Sequence, residues 1–172
     1  RANDKATIPV SKNLFRKYST LKKLAEADPE DVKKIIKRTV YYNQKTKYII
    51  STAEIILEKY KGKVPDSMEE LLKLPGVGYK VAGCVLVYAF DKPAIPVDTH
   101  VAVIANRLGW TKEKDPTKIM YDLMKKIPKK YWLIVNEVLV IHGQEICFKR
   151  KPLCSKCPIE KYCKFEKKNY LN

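Results

Sequence analysis

A chain of 172 residues with 45% hydrophobic content can bury one compact core or two small lobes, and no run approaches the length of a bilayer-spanning helix. Thirty-five Lys and Arg against nineteen Asp and Glu leave a net charge of +16, and no charged-then-apolar leader opens the chain, so an intracellular, cytoplasmic protein is expected rather than a secreted or membrane one. An excess this basic points first to a nucleic-acid partner held through its phosphates; the competing reading is a lysine-rich solvated surface.

In chain order the pattern is helical throughout, with no strand alternation or internal repeat. Asp28-Pro29-Glu30 caps a short helix, with proline at its first position. Residues 44–61 place Ile49, Ala53, Ile56, Leu57 and Tyr60 on one face before Gly62 stops them. Asp66 with Glu69 reads as a capping box ahead of Met68, Leu71, Leu72 and Leu74. A helix is expected over 79–90, another opens at Asp115-Pro116 and ends at Pro128, and a long apolar one runs over 131–146.

Between two of these helices lies Leu74-Pro75-Gly76-Val77-Gly78. Glycines two apart permit a tight turn with positive φ and leave backbone N–H groups bare at a helix N-terminus, where a phosphate is favoured. The same motif also serves any corner between helices. Lys80 is the only permanently charged side chain from Val77 to Phe90, in a helix apolar nearly all round and therefore expected to be buried. Burial and the positive end of the helix both disfavour an ammonium, and a free amine is a nucleophile for Schiff-base chemistry. The alternative is a lysine that snorkels to solvent or binds a phosphate. Asp98 follows the stiff apolar stretch Pro93-Ala94-Ile95-Pro96-Val97. It can cap the next helix, and it can also present a fixed carboxylate to a developing positive charge or a proton. His100 and His142 are read as structural hydrogen-bonding residues, and Cys84 as a small packed hydrophobe.

The C-terminal region carries Cys147, Cys154, Cys157 and Cys163, a C-x6-C-x2-C-x5-C pattern. Two short C-x2-C pairs would suit a zinc ribbon, but only Cys154 and Cys157 form one, and the long unequal arms favour a 4Fe–4S cluster over zinc, and zinc over disulfides. Residues 147–172 hold eight Lys and Arg against two Glu, including the run Lys149-Arg150-Lys151.

The turn with Tyr79-Lys80, the segment Val97-Asp98-Thr99-His100 and the four-cysteine tail together resemble the endonuclease III family, helix–hairpin–helix DNA glycosylases with a 4Fe–4S cluster. The resemblance runs from Arg1 to Cys163 and includes Tyr42-Asn43 with Lys45, and His142-Gly143. It implies an all-α, two-lobed fold: a six-helix barrel lobe with the hairpin over 1–92, and a cluster lobe over 93–172. Duplex DNA containing damaged bases or abasic sites would lie in the groove between them, bound by a monomer. The family's first helix and most of its second have no counterpart here, so the sequence reads as beginning after them. By the same resemblance Lys80 and Asp98 are catalytic, removing oxidised pyrimidines and nicking the strand by β-elimination. Arg1, Tyr41, Gly76, Gly78, Lys149, Arg150 and Lys151 contact DNA, and the four tail cysteines hold the cluster. Two departures stand out: Tyr79 replaces a usually basic residue, and Arg1 and Tyr41 occupy wedge positions where bacterial relatives carry Gln and Leu. A non-catalytic helix–hairpin–helix DNA binder with a structural metal, or a monofunctional mismatch glycosylase, are the alternatives; Lys80 with Asp98 argues against both.

Overall fold

The computed structural model describes residues 4–170, among which there are nine α-helices, three short 3-10 turns and no strand. Packing divides the chain into two compact units, one ending at Val77 and the other beginning at Gly78, so the division falls inside the glycine turn.

The first unit contains α1 (Asp4–Lys17), α2 (Leu21–Ala25), α3 (Pro29–Ile36), α4 (Tyr42–Glu58) and α5 (Met68–Leu72). Its core gathers Val10, Leu14, Ala27, Val32 and Ile36, and α4 packs on both α2 and α3. The start of α3 is as expected: Asp28 accepts from Glu30 N at 3.1 Å and Pro29 occupies the first helical position. Lys17 and the Tyr18 hydroxyl both donate to Asp31, which ties α1 to α3. Those bonds, Lys17 first, hold the Asp31 carboxyl below its ordinary range, while the bond to Asp31 pushes the Tyr18 phenol up to about 12.

Two local expectations shift. The helix expected to reach residue 61 ends at Glu58, because Lys61 and Gly62 take left-handed backbone (φ 51° and 78°) and Gly62 N turns back to Ile56 O at 2.9 Å. The cap of α5 is Ser67, not Asp66: its hydroxyl accepts from Glu70 N at 3.3 Å. The sequence offers two overlapping boxes, Asp66/Glu69 and Ser67/Glu70, and the backbone selects the second. Glu70 does not complete the box. Its carboxylate accepts instead from Tyr60 and Lys73.

The second unit contains α6 (Tyr79–Phe90), α7 (Thr99–Arg107), α8 (Pro116–Lys126) and α9 (Trp132–Glu145), followed by 3-10 turns at Cys154–Lys156 and Glu160–Tyr162. Between α8 and α9 lies the third 3-10 turn, Lys129–Tyr131. The core is built from Ile95, Val101, Ile104, Ile119 and Leu123, with α7 packed against α8 and α9. Asp115 caps α8 by accepting from both Thr117 N and Lys118 N at 3.0 Å. Between α6 and α7 runs a strap without regular structure, and its residues Ala94, Ile95, Pro96 and Val97 are all buried. Its depth depends on Gly83: a Cβ there would sit 3.3 Å from Pro96 Cγ, closer than side chains ordinarily approach.

Candidate functional site

The turn ahead of α6 is built by its neighbours in the first unit. Val77 N donates to Leu74 O at 3.1 Å, and Thr52 Oγ1 of α4 donates to Pro75 O at 3.2 Å. Gly76 has φ +74°, and a Cβ on it would fall 2.3 Å from Cδ2 of Tyr48. Two independent reasons therefore require glycine: left-handed backbone, and an aromatic ring lying over the α-carbon. Gly78 then begins the second unit as the N-cap of α6, with no side-chain cap hydrogen bond.

Lys80 is the second residue of α6 and is exposed. This corrects the expectation of burial. The helix is one-sided: Ala82, Gly83, Leu86 and Val87 are buried, whereas Val81 and Tyr88 are open. Burial therefore does not distinguish Lys80; its placement does. Lys80 lines a pocket of about 220 Å³ with Gly78, Tyr79, Val97, Pro116, Thr117 and Met120. Val97 brings into this pocket wall the strap residue that directly precedes Asp98. Tyr79 packs on the core of the second unit, its ring edge-on to Tyr121 at 6.4 Å, and a hydrogen bond between the two hydroxyls raises the Tyr121 phenol.

Asp98 is the N-cap of α7, half-buried, with Oδ1 accepting from Val101 N at 2.8 Å. The cap engages one oxygen and fixes the carboxylate, so the capping and chemical readings of this residue are compatible. His100 follows in the first turn of α7. A Cβ on Gly143 of α9 would lie 2.4 Å from its Nδ1, so Gly143 is what lets the imidazole lie against α9.

All four tail cysteines line one pocket with Arg107, Ile146, Pro152, Leu153, Phe165 and Lys168, and none forms a disulfide. Burial pushes the Cys157 thiol up, and the charges of Cys147, Cys163 and Cys154 add to that. Four thiolates this close repel one another unless a cationic centre lies among them, so the donor set fits a metal centre. Among the described residues, no three thiol, imidazole or carboxylate groups converge on one ion-sized point. His142 Nε2 lies 3.6 Å from Cys157 Sγ, and burial lowers its pKa.

Sequence reasoning missed Arg107, which organises this region. Its guanidinium donates to Cys147 Sγ (3.0 Å) and to the carbonyls of Cys147, Phe148 and Lys149, and lies 4.4 Å over the Phe165 ring. Its own carbonyl accepts from Lys164 N at 2.9 Å. These partners lie about forty residues or more away in sequence, so no local pattern could reveal them. Asn136 was also missed, although a signal existed: a lone amide in the apolar run Leu133 to Val140 must find buried partners.

The residues expected to contact DNA divide. Lys149, Arg150 and Lys151 are exposed on the loop that Arg107 anchors, and Lys151 has φ 50°. Tyr41 precedes α4 with φ 59° and is 66% exposed, an unfavourable backbone that presents an aromatic ring to solvent. Arg1 lies outside the described residues.

An exposed amine thus lies in a pocket beside the strap that leads to a capped aspartate, after a glycine turn on an all-helical scaffold. The profile of the HhH-GPD superfamily base excision DNA repair protein matches residues 1–129. Endonuclease III of Thermotoga maritima is 46% identical over 165 residues, covering 96% of this chain and 78% of that protein. Among solved structures, a trapped endonuclease III–DNA covalent intermediate superposes with a TM-score of 0.89 at 35% identity, over 94% of this chain and 76% of the other. A thermostable thymine-DNA glycosylase follows with a TM-score of 0.85 at 25% identity, over 96% of this chain and 78% of that one. The chain belongs to the HhH-GPD superfamily and, within it, to the endonuclease III family.

Proposed function

We propose that the protein is a bifunctional DNA glycosylase and abasic-site lyase of base excision repair, acting on oxidised pyrimidines in duplex DNA. The observation that carries this reading is the lysine at the second position of α6, open to a pocket whose wall includes the residue before Asp98. A binding module would need neither residue, and a monofunctional glycosylase would not need the amine.

The damaged nucleotide leaves the stack, which is easiest for a base that already stacks poorly. Lys80 Nζ bonds to C1′ of the sugar, and the C1′–N bond breaks with its electron pair leaving on the base, which takes up a proton. The amine then loses a proton as the sugar ring opens to the Schiff base. Loss of a proton from C2′ expels the 3′ phosphate, and hydrolysis frees the lysine. Asp98 accepts the amine's proton or stabilises positive charge developing at C1′. Its cap to Val101 N keeps the carboxylate from rotating away during either role.

Phosphates of the DNA are held by the backbone at Gly76 and Gly78 and by Lys149, Arg150 and Lys151, while Tyr41 and Arg1 stand at the wedge positions. The barrel lobe is assigned to 1–92 and the cluster lobe to 93–172. Cys147, Cys154, Cys157 and Cys163 would hold a 4Fe–4S cluster, whose irons would supply the cationic centre that four neighbouring thiolates need. The uneven C-x6-C-x2-C-x5-C spacing, with all four cysteines lining one pocket, supports a cluster over a single zinc. Arg107 would hold the basic loop beside that centre through its bonds to residues 147–149.

The test is borohydride trapping. Incubated with a thymine-glycol or abasic duplex and borohydride, the protein forms a covalent adduct, and Lys80→Gln abolishes adduct and nicking while DNA binding persists. An adduct from Lys80→Gln would assign the nucleophile to another amine. Anaerobically purified protein carries about four irons per chain; one zinc and no iron would overturn the cluster.

A further inference from the structure

The strap that delivers Asp98 has no helix or sheet to hold it, so its position depends on what grips it. Pro96, two residues before Asp98, has no N–H, and its buried carbonyl accepts from Asn136 Nδ2 at 2.8 Å. Asn136 lies in α9, is 6% exposed, and its Oδ1 accepts from the Tyr88 hydroxyl at 2.8 Å. The orientation of the amide is fixed by chemistry: a carbonyl can only accept, so the NH2 must face Pro96 and the oxygen must face Tyr88. Tyr88 belongs to α6, the helix that carries Lys80, and Gly83 of that helix also lies close against Pro96. The nucleophile's helix and α9 therefore share a grip on one peptide of the strap.

We infer that Asn136, oriented by Tyr88, is a positioning residue for Asp98, which sets where the carboxylate stands relative to the helix of Lys80. The inference rests on the catalytic reading of Asp98 given above. Burial, followed by the charges of Cys84, Glu137 and Asp98, raises the Tyr88 phenol, so its proton is retained and the hydroxyl stays a donor. Without that donor the amide oxygen faces a partly buried space unpaired, and the side chain is free to swing off Pro96. The strap then keeps its apolar packing but loses the directional bond at Pro96. Misplacement of a reacting group on the ångström scale lowers rate on the order of 100-fold while leaving the binding of substrate elsewhere unchanged.

The experiment measures the single-turnover rate of base release from a thymine-glycol duplex at saturating protein, together with affinity for a duplex holding a tetrahydrofuran abasic analogue. Tyr88→Phe, whose ring is exposed and stays in place, should slow base release by roughly 3- to 10-fold, and Asn136→Leu by about 10- to 100-fold, with affinity unchanged in both. In the double variant Tyr88→Phe should add nothing further, because its effect passes through the amide. Equal rates for Tyr88→Phe and the wild type would overturn the inference, as would additive losses in the double variant. If Asn136→Leu does not fold, Tyr88→Phe alone decides. Failure of the wild type to release base or form a trapped adduct would instead bring down the catalytic reading, and the inference with it.

Discussion

Asp98 carries two roles that one substitution can separate. Asp98→Asn keeps the volume of the side chain and an oxygen to accept from Val101 N, the bond measured at 2.8 Å, but removes the charge. Asparagine caps a helix about as well as aspartate, so stability should fall by less than ~1 kcal/mol. For a chain of this size that corresponds to a drop in Tm of no more than about 2–4 °C. Loss of one acid–base or electrostatic group, by contrast, lowers turnover by roughly 10²–10³-fold, about 2.7–4 kcal/mol of transition-state stabilisation. Asp98→Ala removes both functions and should add a cap loss of about 1 kcal/mol to the same catalytic deficit. Differential scanning fluorimetry gives the first quantity, and single-turnover base release at saturating protein gives the second. If Asp98→Asn melts far below the wild type while each folded molecule turns over normally, Asp98 is only a cap and the assignment fails.

Gly76→Ala should destabilise the turn by about 1–2 kcal/mol through its backbone alone, with the contact to Tyr48 added; Tyr48→Ala in the same chain should relieve only the contact, and full rescue of Tm would show that φ is not the constraint. Arg107→Gln removes a guanidinium that donates to one sulfur and three carbonyls, so iron should be lost faster to a chelator and affinity for duplex should fall; unchanged iron retention would refute Arg107 as the anchor. Affinity for undamaged duplex should fall with salt at a log–log slope of roughly −0.9 per phosphate contacted, and Arg150→Ala should flatten that slope by about one contact without altering lesion choice; a flat wild-type profile would make the basic loop a solvated surface.

The sequence announced the elements whose signals are local. Asp28-Pro29, Asp115-Pro116 and Asp98 each cap a helix where proline position and side-chain chemistry require it. Where two local signals overlapped, as at Asp66 and Ser67, pattern could not choose, because both offer an acceptor three residues before a glutamate. The reading of α6 failed for a different reason. An apolar composition all round suggests a central helix, but composition does not count the neighbours available to cover it, and Val81 and Tyr88 were left open. The isolation of Lys80 among apolar residues was visible, but the burial inferred from it was wrong.

What stayed illegible is the apparatus that aims the site. Lys80, Asp98 and the four cysteines could be proposed from residue type, motif and resemblance, because chemistry restricts which types can serve. Arg107 and Asn136 act by reaching across about forty residues to a backbone carbonyl, an acceptor that every residue possesses. No spacing rule points to such a partner. For Asn136 alone there was a clue: an amide on a largely apolar stretch of α9 had to be satisfied somewhere. Both residues end at the segments that carry chemistry, one at the cysteine loop and one at the strap before Asp98. Arg107 and Asn136 both attach to segments that lack regular hydrogen bonding of their own and so have carbonyls to spare. The identity of such a residue does not say which carbonyl it meets.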